Sequence, residues 1–315
     1  MSALLLLLGL SACDPIHLAG QRAQRSAEDL GFAQKQIDTG GASVHVWVGG
    51  QGPPVLLIHG FGGDGLWTWR QQLEALAAQH TVIVPDLLWF GASTSPAPPA
   101  LDAEAAAMIG VLDALNVPRA DVVGISYGGF VTLTLAQEHA DRVGRIVVVD
   151  SPGPYFSAQD QADMVARFGA SKAEDIFVPR GPDDVERLVG LAYVDPPWIP
   201  RAALEPMYRD LFAPYAVSQR ALLADLIARR GQTYTLPGCP QALVVWGEQD
   251  AVFPLARGQA LASALGASLV TIPQTAHAPN IERPEEFNSA ILGFLSSAAP
   301  STPGDSPPCS ATEVR

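Results

Sequence analysis

Residues 122 to 130 read VVGISYGGF, a run of β-forming residues that ends directly on a serine flanked by glycines. Gly124-Ile125-Ser126-Tyr127-Gly128 has the form G-x-S-x-G, with a strand pattern before it and a helical pattern after it. In that setting the serine sits on a turn so tight that its backbone is strained, and only small neighbours let strand and helix approach. The hydroxyl is thereby held up at the end of a sheet, where the N-terminus of the next helix supplies free N–H groups and positive potential. The chemistry within reach is nucleophilic attack. A serine hydroxyl attacks poorly until a base takes its proton, so a histidine has to come from elsewhere in the chain.

Six histidines are available. His17 lies near the N-terminus, His45 falls in an opening hairpin, and His80 and His139 end helical stretches. Only His59, in HGFGGDG, and His277, in TAHAPNIERPEEF, follow strands and so reach the edge where Ser126 is expected. His277 lies in a loop that leads into the last helix and is the expected base. A base of this kind needs an acid to fix its tautomer. Asp250, three residues past the strand ALVVWG and 27 before His277, is the expected acid. Asp150, at the end of RIVVVD, is its main competitor; Asp86 and Glu248 read as structural. The oxyanion formed by attack on a carbonyl needs donors, expected from the backbone N–H groups of Tyr127 and of Phe61 in HGFGGDG. Gly60, Gly62 and Gly63 allow that loop to come close, and His59 then reads as a residue that holds it.

The elements that must position these groups are legible as alternation. QKQID and SVHVWV flank a Thr-Gly-Gly turn, which predicts an opening hairpin. PVLLIHG, TVIVPD, VVGIS, RIVVVD, ALVVWG and SLVTIP follow, nearly continuous apolar runs of the sort that strands covered on both faces show. Helical patterns fall between them, over 67–79, 101–115, the stretch after Ser126, 254–265 and 284–297. Strands alternating with helices predict an α/β fold with a mostly parallel sheet wrapped by helices, and ligands in such sheets bind at the carboxyl ends of the strands. The rhythm breaks over 153–235, where helical stretches recur without a core strand, so this segment is expected to form a helical cap inserted into a core of residues 35–152 and 236–297. Tyr155, Phe156, Phe168, Tyr193, Trp198, Met207 and Phe212 are its large side chains, expected mostly as cap core with the rest facing a pocket.

With 315 residues, 48% of them hydrophobic, the chain can bury a large core. A net charge of −13 and no cluster of Lys and Arg exclude a nucleic-acid partner, and no period of 20 to 50 residues points to a repeat array. Cys239 and Cys309 could bridge the C-terminal tail to the body or remain free thiols. The Pro/Ser-rich tail, 298–315, is expected to lack fixed structure unless that bridge holds it.

From PVLLIHGFGG through HAPNIERPEEF, about residues 35 to 297, the chain resembles the serine hydrolases of the α/β-hydrolase fold, esterases and lipases among them. The resemblance implies Ser126 as nucleophile, His277 as base, Asp250 as acid and the N–H groups of Phe61 and Tyr127 as oxyanion hole. It implies cleavage of small to medium apolar esters through an acyl-enzyme, without metal or organic cofactor. PDLLWFGAST departs from the commoner form of its segment, which has Arg and Gly after PDL. Serine in the elbow argues against haloalkane dehalogenases and epoxide hydrolases, which carry aspartate there. The same scaffold also serves carbon–carbon bond hydrolases of meta-cleavage products, cofactor-free peroxidases or perhydrolases, and non-catalytic ligand-binding modules. Near the N-terminus, the apolar run ALLLLLGL is followed by Leu10-Ser11-Ala12-Cys13, which resembles the lipobox of bacterial lipoproteins. Residues 1–13 are therefore expected as a leader ending on a lipidated Cys13, residues 14–34 as a lead-in, and the location as the bacterial cell envelope, lipid-anchored to the membrane and facing the periplasm or the exterior. No protein partner is expected.

Overall fold

The computed structural model describes residues 15–297 apart from 233, 238 and 239, together with residues 309–311. Cys13 with its lipobox, and the bridge from Cys239 to Cys309, lie outside the described residues. Among the described residues no helix is long and apolar enough to cross a membrane.

A first helix, α1 (Pro15–Asp29), precedes the predicted hairpin of β1 (Ala33–Asp38) and β2 (Ser43–Gly49). Gly40 and Gly41 turn it at φ of 85° and 110°, and Asp38 Oδ1 accepts both of their N–H groups at 2.9 Å. The chain continues through β3 (Pro54–Ile58), α2 (Gly65–Trp69), α3 (Leu73–Ala77), β4 (Thr81–Pro85), α4 (Leu101–Ala114), β5 (Ala120–Ile125), α5 (Tyr127–Glu138) and β6 (Val143–Val149). A helical segment holds α6 (Ala158–Arg167), α7 (Glu174–Phe177), α8 (Pro182–Ala192), α9 (Arg201–Met207) and α10 (Ala216–Ala228). After it come β7 (Tyr234–Leu236), β8 (Ala242–Gly247), α11 (Leu255–Leu265), β9 (Ser268–Ile272), α12 (Pro279–Glu282), α13 (Pro284–Leu295) and β10 (Cys309–Ala311).

Eight strands form one sheet in the order β1-β2-β4-β3-β5-β6-β8-β9. β2 runs antiparallel to both neighbours, and the pairs from β4 to β9 are parallel. The continuous apolar runs have a direct cause, because alternate residues enter two different cores. Leu56, Ile58, Val122, Val148 and Val244 pack on one face with α4, α5 and α11. Val55, Leu57, Val123, Val147 and Val245 pack on the other against Trp69, Leu73 and Phe287. From β3 the chain steps outward to β4, then crosses back to β5 on the other side of β3. The loops after β3 and β5 thus leave in diverging directions at the carboxyl ends of adjacent strands, which is where such a sheet opens a crevice.

Two expectations need correction. The predicted single helix over 67–79 is two short ones, because the Gln72 N–H turns back to Trp69 O and its side chain donates to Asn280 O, 2.8 Å away, and to Asn288 Oδ1. Trp198 is neither cap core nor pocket wall but 85% exposed; it stands in the proline-bounded linker PPWIP, where Ile199 takes the inward place beside Val185, Leu204 and Phe212. Within the tail, Cys309–Ala311 run antiparallel to Tyr234–Leu236, and whether the bridge accompanies this pairing lies outside the described residues.

The segment between β6 and β7 adds no strand to the large sheet. Ion pairs tie it down: Arg229, at the end of α10, grips both oxygens of Asp102 on α4, and Asp225 accepts the Leu101 N–H at 2.9 Å. Arg257 on α11 reaches Asp160 on α6 at 3.0 Å.

Candidate active site

Ser126 joins β5 to α5 at φ 54° and ψ −118°, a backbone conformation that costs an L-residue energy and persists only because its surroundings enforce it. The enforcement is visible in the glycines. A Cβ on Gly124 would lie 2.2 Å from Gly128 O, and one on Gly128 would lie 2.3 Å from Ile58 O. The elbow is therefore closed against its own strand and against β3. Tyr127, first residue of α5, has an N–H with no place in the helix ladder.

Two strand-end loops bring the other groups in. Glu248 N–H donates to Ile272 O and Gln249 N–H to Thr275 O, and Gly247 comes so close to Ala276 that a Cβ would lie 1.8 Å from its carbonyl oxygen. Zipped together in this way, the loops after β8 and β9 hold Asp250 and His277 face to face. His277 Nδ1 stands 2.9 Å from Asp250 Oδ2, and His277 Nε2 stands 2.8 Å from Ser126 Oγ. Asp250 Oδ1 accepts the N–H groups of Val252 at 2.7 Å and Phe253 at 3.1 Å, so the carboxylate is fixed by donors on both oxygens. Its side chain is fully buried and that of His277 is 11% exposed. The Nδ1–H tautomer directed at Asp250 leaves Nε2 free to accept the Ser126 proton.

The loop after β3 completes the ring. A Cβ on Gly60 would lie 2.9 Å from Ser126 Cβ, so the backbone of this loop, one residue before Phe61, presses on the serine. The Phe61 ring packs edge-on against Phe90 and Tyr127, each at 5.1 Å between centroids. His59 is buried and neutral: its Nε2 accepts the Leu87 N–H at 2.9 Å, its Nδ1 donates to Gly60 O at 2.8 Å, and burial holds its pKa below the ordinary value. It is a strut between loops and does not reach Ser126. Asp86 is structural too, accepting from Gly65 N–H, Ala92 N–H and His45 Nδ1, each at 3.0 Å. Burial pushes Asp86 up, but these donors, His45 first, bring it below the usual carboxylate value.

Two cavities meet at Ser126. The smaller, about 50 Å³, is walled by Phe130, Phe156, Met164, Phe177, Leu223 and Phe253, and Arg229 and Arg230 also line it. The larger, about 540 Å³, also borders His277; Trp67, Leu188, Tyr193, Met207 and Phe212 line it, α1 contributes Ile16, and its charged walls are Asp64, Asp86 and Asp210. No Lys or Arg lines the larger cavity among the described residues.

Some participants left little trace in the sequence. Glu282 Oε2 accepts the Ala276 N–H at 2.6 Å, bracing the residue before His277. Arg167 on α6 donates to Ala251 O, tying the helical segment to the residue after Asp250. Asp64 caps α2 and stands beside Asp86; burial and then the Asp86 charge raise its pKa to about 6. Among the described residues, the cluster compact enough to suggest a metal is Asp150, Asp250 and His277, with one atom of each within 4.8 Å of the others. Asp250 and His277 already engage each other and Ser126, so these donors are committed without an ion.

Residues 55–290 match the model of the Alpha/beta hydrolase family, and the chain belongs to that family. Over 287 residues it is 31% identical to the 2-hydroxymuconate semialdehyde hydrolase of Pseudomonas sp. (strain CF600), covering 88% of this chain and 97% of that protein. It is 30% identical over 261 residues to the pimeloyl-[acyl-carrier protein] methyl ester esterase of Vibrio vulnificus (strain YJ016), covering 80% and 97%. Among solved structures, a membrane phospholipase A superposes with a TM-score of 0.75 over 89% of this chain and 91% of that one; at 22% identity the likeness is one of fold.

Proposed function

We propose that this hydrolase is a carboxylesterase acting on uncharged esters with a short acyl group and a larger apolar alcohol. The observation that carries the proposal is the unbroken line Asp250–His277–Ser126, which opens onto two cavities of unequal size. In the proposed reaction His277 Nε2 takes the Ser126 proton as Oγ attacks the ester carbonyl. The N–H groups of Phe61 and Tyr127 hold the oxyanion, a contribution of about 3 kcal/mol per donor in comparable sites. Collapse expels the alcohol, which leaves with the proton from His277. Water, deprotonated by the same His277, then attacks the acyl carbon and frees Ser126.

The leaving group must stand next to His277, which borders only the larger cavity, so the alcohol belongs there and the acyl chain in the smaller. At about 50 Å³, a few water-sized volumes, the acyl pocket suits two to four carbons. The similarity to the semialdehyde hydrolase favours a second reading, carbon–carbon cleavage of a keto acid. The acidic lining of the larger cavity, without Lys or Arg, weighs against an anionic substrate there.

Hydrolysis of p-nitrophenyl esters from acetate to palmitate by residues 14–315, beside Ser126→Ala, tests the reading. Turnover that peaks at acetate or butyrate and vanishes in Ser126→Ala is expected. Inert esters together with cleavage of a dienoic keto acid would transfer the assignment to carbon–carbon hydrolysis. We further propose that the enzyme works in the cell envelope, held to the membrane by lipid on Cys13. Loss of the full-length chain from the membrane fraction on Cys13→Ser is expected, and retention would remove the anchor.

A further inference from the structure

Asp150, weighed from the sequence as a rival acid, is not part of the Ser126–His277–Asp250 line, yet it stands against it. It directly follows β6 at φ 43°, is 0% exposed, and receives the Gly247 N–H on Oδ1 at 2.8 Å. Its Oδ2 is buried with no hydrogen-bond donor facing it. One of its carboxyl oxygens lies within 4.8 Å of a carboxyl oxygen of Asp250 and of a ring nitrogen of His277. Two carboxyl groups this close together and out of water do not both carry charge at low cost; one of them keeps a proton. The surroundings decide which. Asp250 accepts three N–H donors, from Val252, Phe253 and His277, whereas Asp150 accepts one.

We infer that Asp150 is a protonated positioning residue that donates a hydrogen bond from its Oδ2–H to the Asp250 carboxylate. A carboxylate with a fourth donor is locked in rotation as well as in charge, and the lock passes through Nδ1 to the orientation of His277. Asp150 touches no reacting atom and its proton never leaves it. The charged and titratable groups facing it are Asp250 from the loop after β8, His277 from the loop after β9 and Glu282 from α12. Burial first, then the Asp250 charge, push its pKa well above the carboxylate range, in keeping with the contact geometry. The inference rests on the esterase reading only where turnover is used to test it.

The experiment pairs kinetics with infrared spectroscopy on wild type, Asp150→Asn and Asp150→Ala. Asparagine keeps a donor toward Asp250 and an acceptor for Gly247, and it tolerates the left-handed backbone. Asp150→Ala is expected to lower kcat about tenfold with KM little changed, the usual size of a lost hydrogen bond to a charged group. Asp150→Asn should restore kcat to within about threefold of wild type and leave the acid limb of the kcat/KM profile in place, as one neutral group replaces another. An acid limb moved to lower pH in Asp150→Asn would mean that a negative charge had been removed near His277, and would overturn the inference. So would an Asn variant as slow as the Ala variant while folded. The wild-type minus Asp150→Asn infrared difference at neutral pH should contain a protonated-carboxyl C=O stretch. Its replacement by an ionised-carboxylate band refutes the proposal, whatever the enzyme's substrate proves to be.

Discussion

The strand-end loops around Ser126 and the helical segment between β6 and β7 are built on opposite principles. In the loops, backbone meets backbone at distances that exclude even a methyl group, as at Gly124, Gly128 and Gly247, and Ser126, His277 and Asp250 are joined by hydrogen bonds. In the helical segment, the core of its own is small, with Val185, Leu204 and Phe212 at its centre, and many charges face solvent, as in the pair Asp183 and Arg201, 79% and 84% exposed. Geometry that must hold to a few tenths of an ångström is written in the first region, and the shape of what enters is written in the second.

The sharpest test of that division removes the base. His277→Ala is expected to lower kcat by about 10⁴ to 10⁶, as loss of one member of such a unit does elsewhere, with a circular dichroism spectrum and melting temperature close to wild type. Trp198→Ala, its counterpart on the surface of the helical segment, should leave kcat/KM within about twofold, the ordinary outcome for an exposed side chain without a partner. A large loss in both would erase the distinction.

Next in size is a change of a single methyl. On Gly128 it would meet Ile58 O at 2.3 Å, backbone that cannot rotate away, so Gly128→Ala should cost about 3 kcal/mol of stability in urea unfolding. Gly190, on α8, has nothing within 4 Å of the same added atom, and Gly190→Ala should raise stability by about 0.5 to 1 kcal/mol through helix propensity. Phe156 walls the smaller cavity and packs on Phe253 at 5.3 Å. Phe156→Ala should therefore move the acyl optimum to longer chains, with hexanoate gaining about tenfold relative to acetate, the worth of one to two methylenes in an apolar pocket.

The same contrast explains what could be read from the chain. The elbow was legible because much of its geometry is local: Gly124, Ser126 and Gly128 lie within five residues, and a Cβ on Gly124 would meet Gly128 O inside that turn. Asp250 and His277 were legible from their positions past strands, since the sheet itself delivers strand ends to one edge. Gln72 gave no such signal. It breaks a helix by bonding to residues more than 200 positions away, and a periodic pattern contains no term for that. Trp198 misled for the same reason, its exposure being set by the prolines around it and by Ile199 taking the interior. The contact between Asp150 and Asp250 joins two strand ends whose adjacency is evident only once β6 and β8 pair.

Identical substitutions in the two regions should act with opposite sign on stability. Asp64, in the loop after β3, has a pKa raised from 3.8 to about 6 by burial and by the charge of Asp86. Its protonated form therefore contributes stability that is full below about pH 4 and is lost as pH rises through about 6, so at pH 7 the ionised side chain is a cost. Asparagine caps a helix as well as aspartate does and carries no charge. Asp64→Asn should thus gain about 1 kcal/mol at pH 7 and little at pH 4. Asp184, on α8, runs the other way: burial pushes it up, but the Arg180 N–H, then Arg187 and the Arg180 side chain, hold it below 3.8. Its contribution is present above the unfolded value and disappears as pH falls, so Asp184→Asn should lose about 0.5 kcal/mol at pH 7 and approach wild type in acid. Urea midpoints of the two variants at pH 4 and pH 7 give all four values. If both variants shifted the same way at pH 7, the loop carboxylates would be no more strained by burial than those of the helical segment, and the contrast between the regions would rest on packing alone.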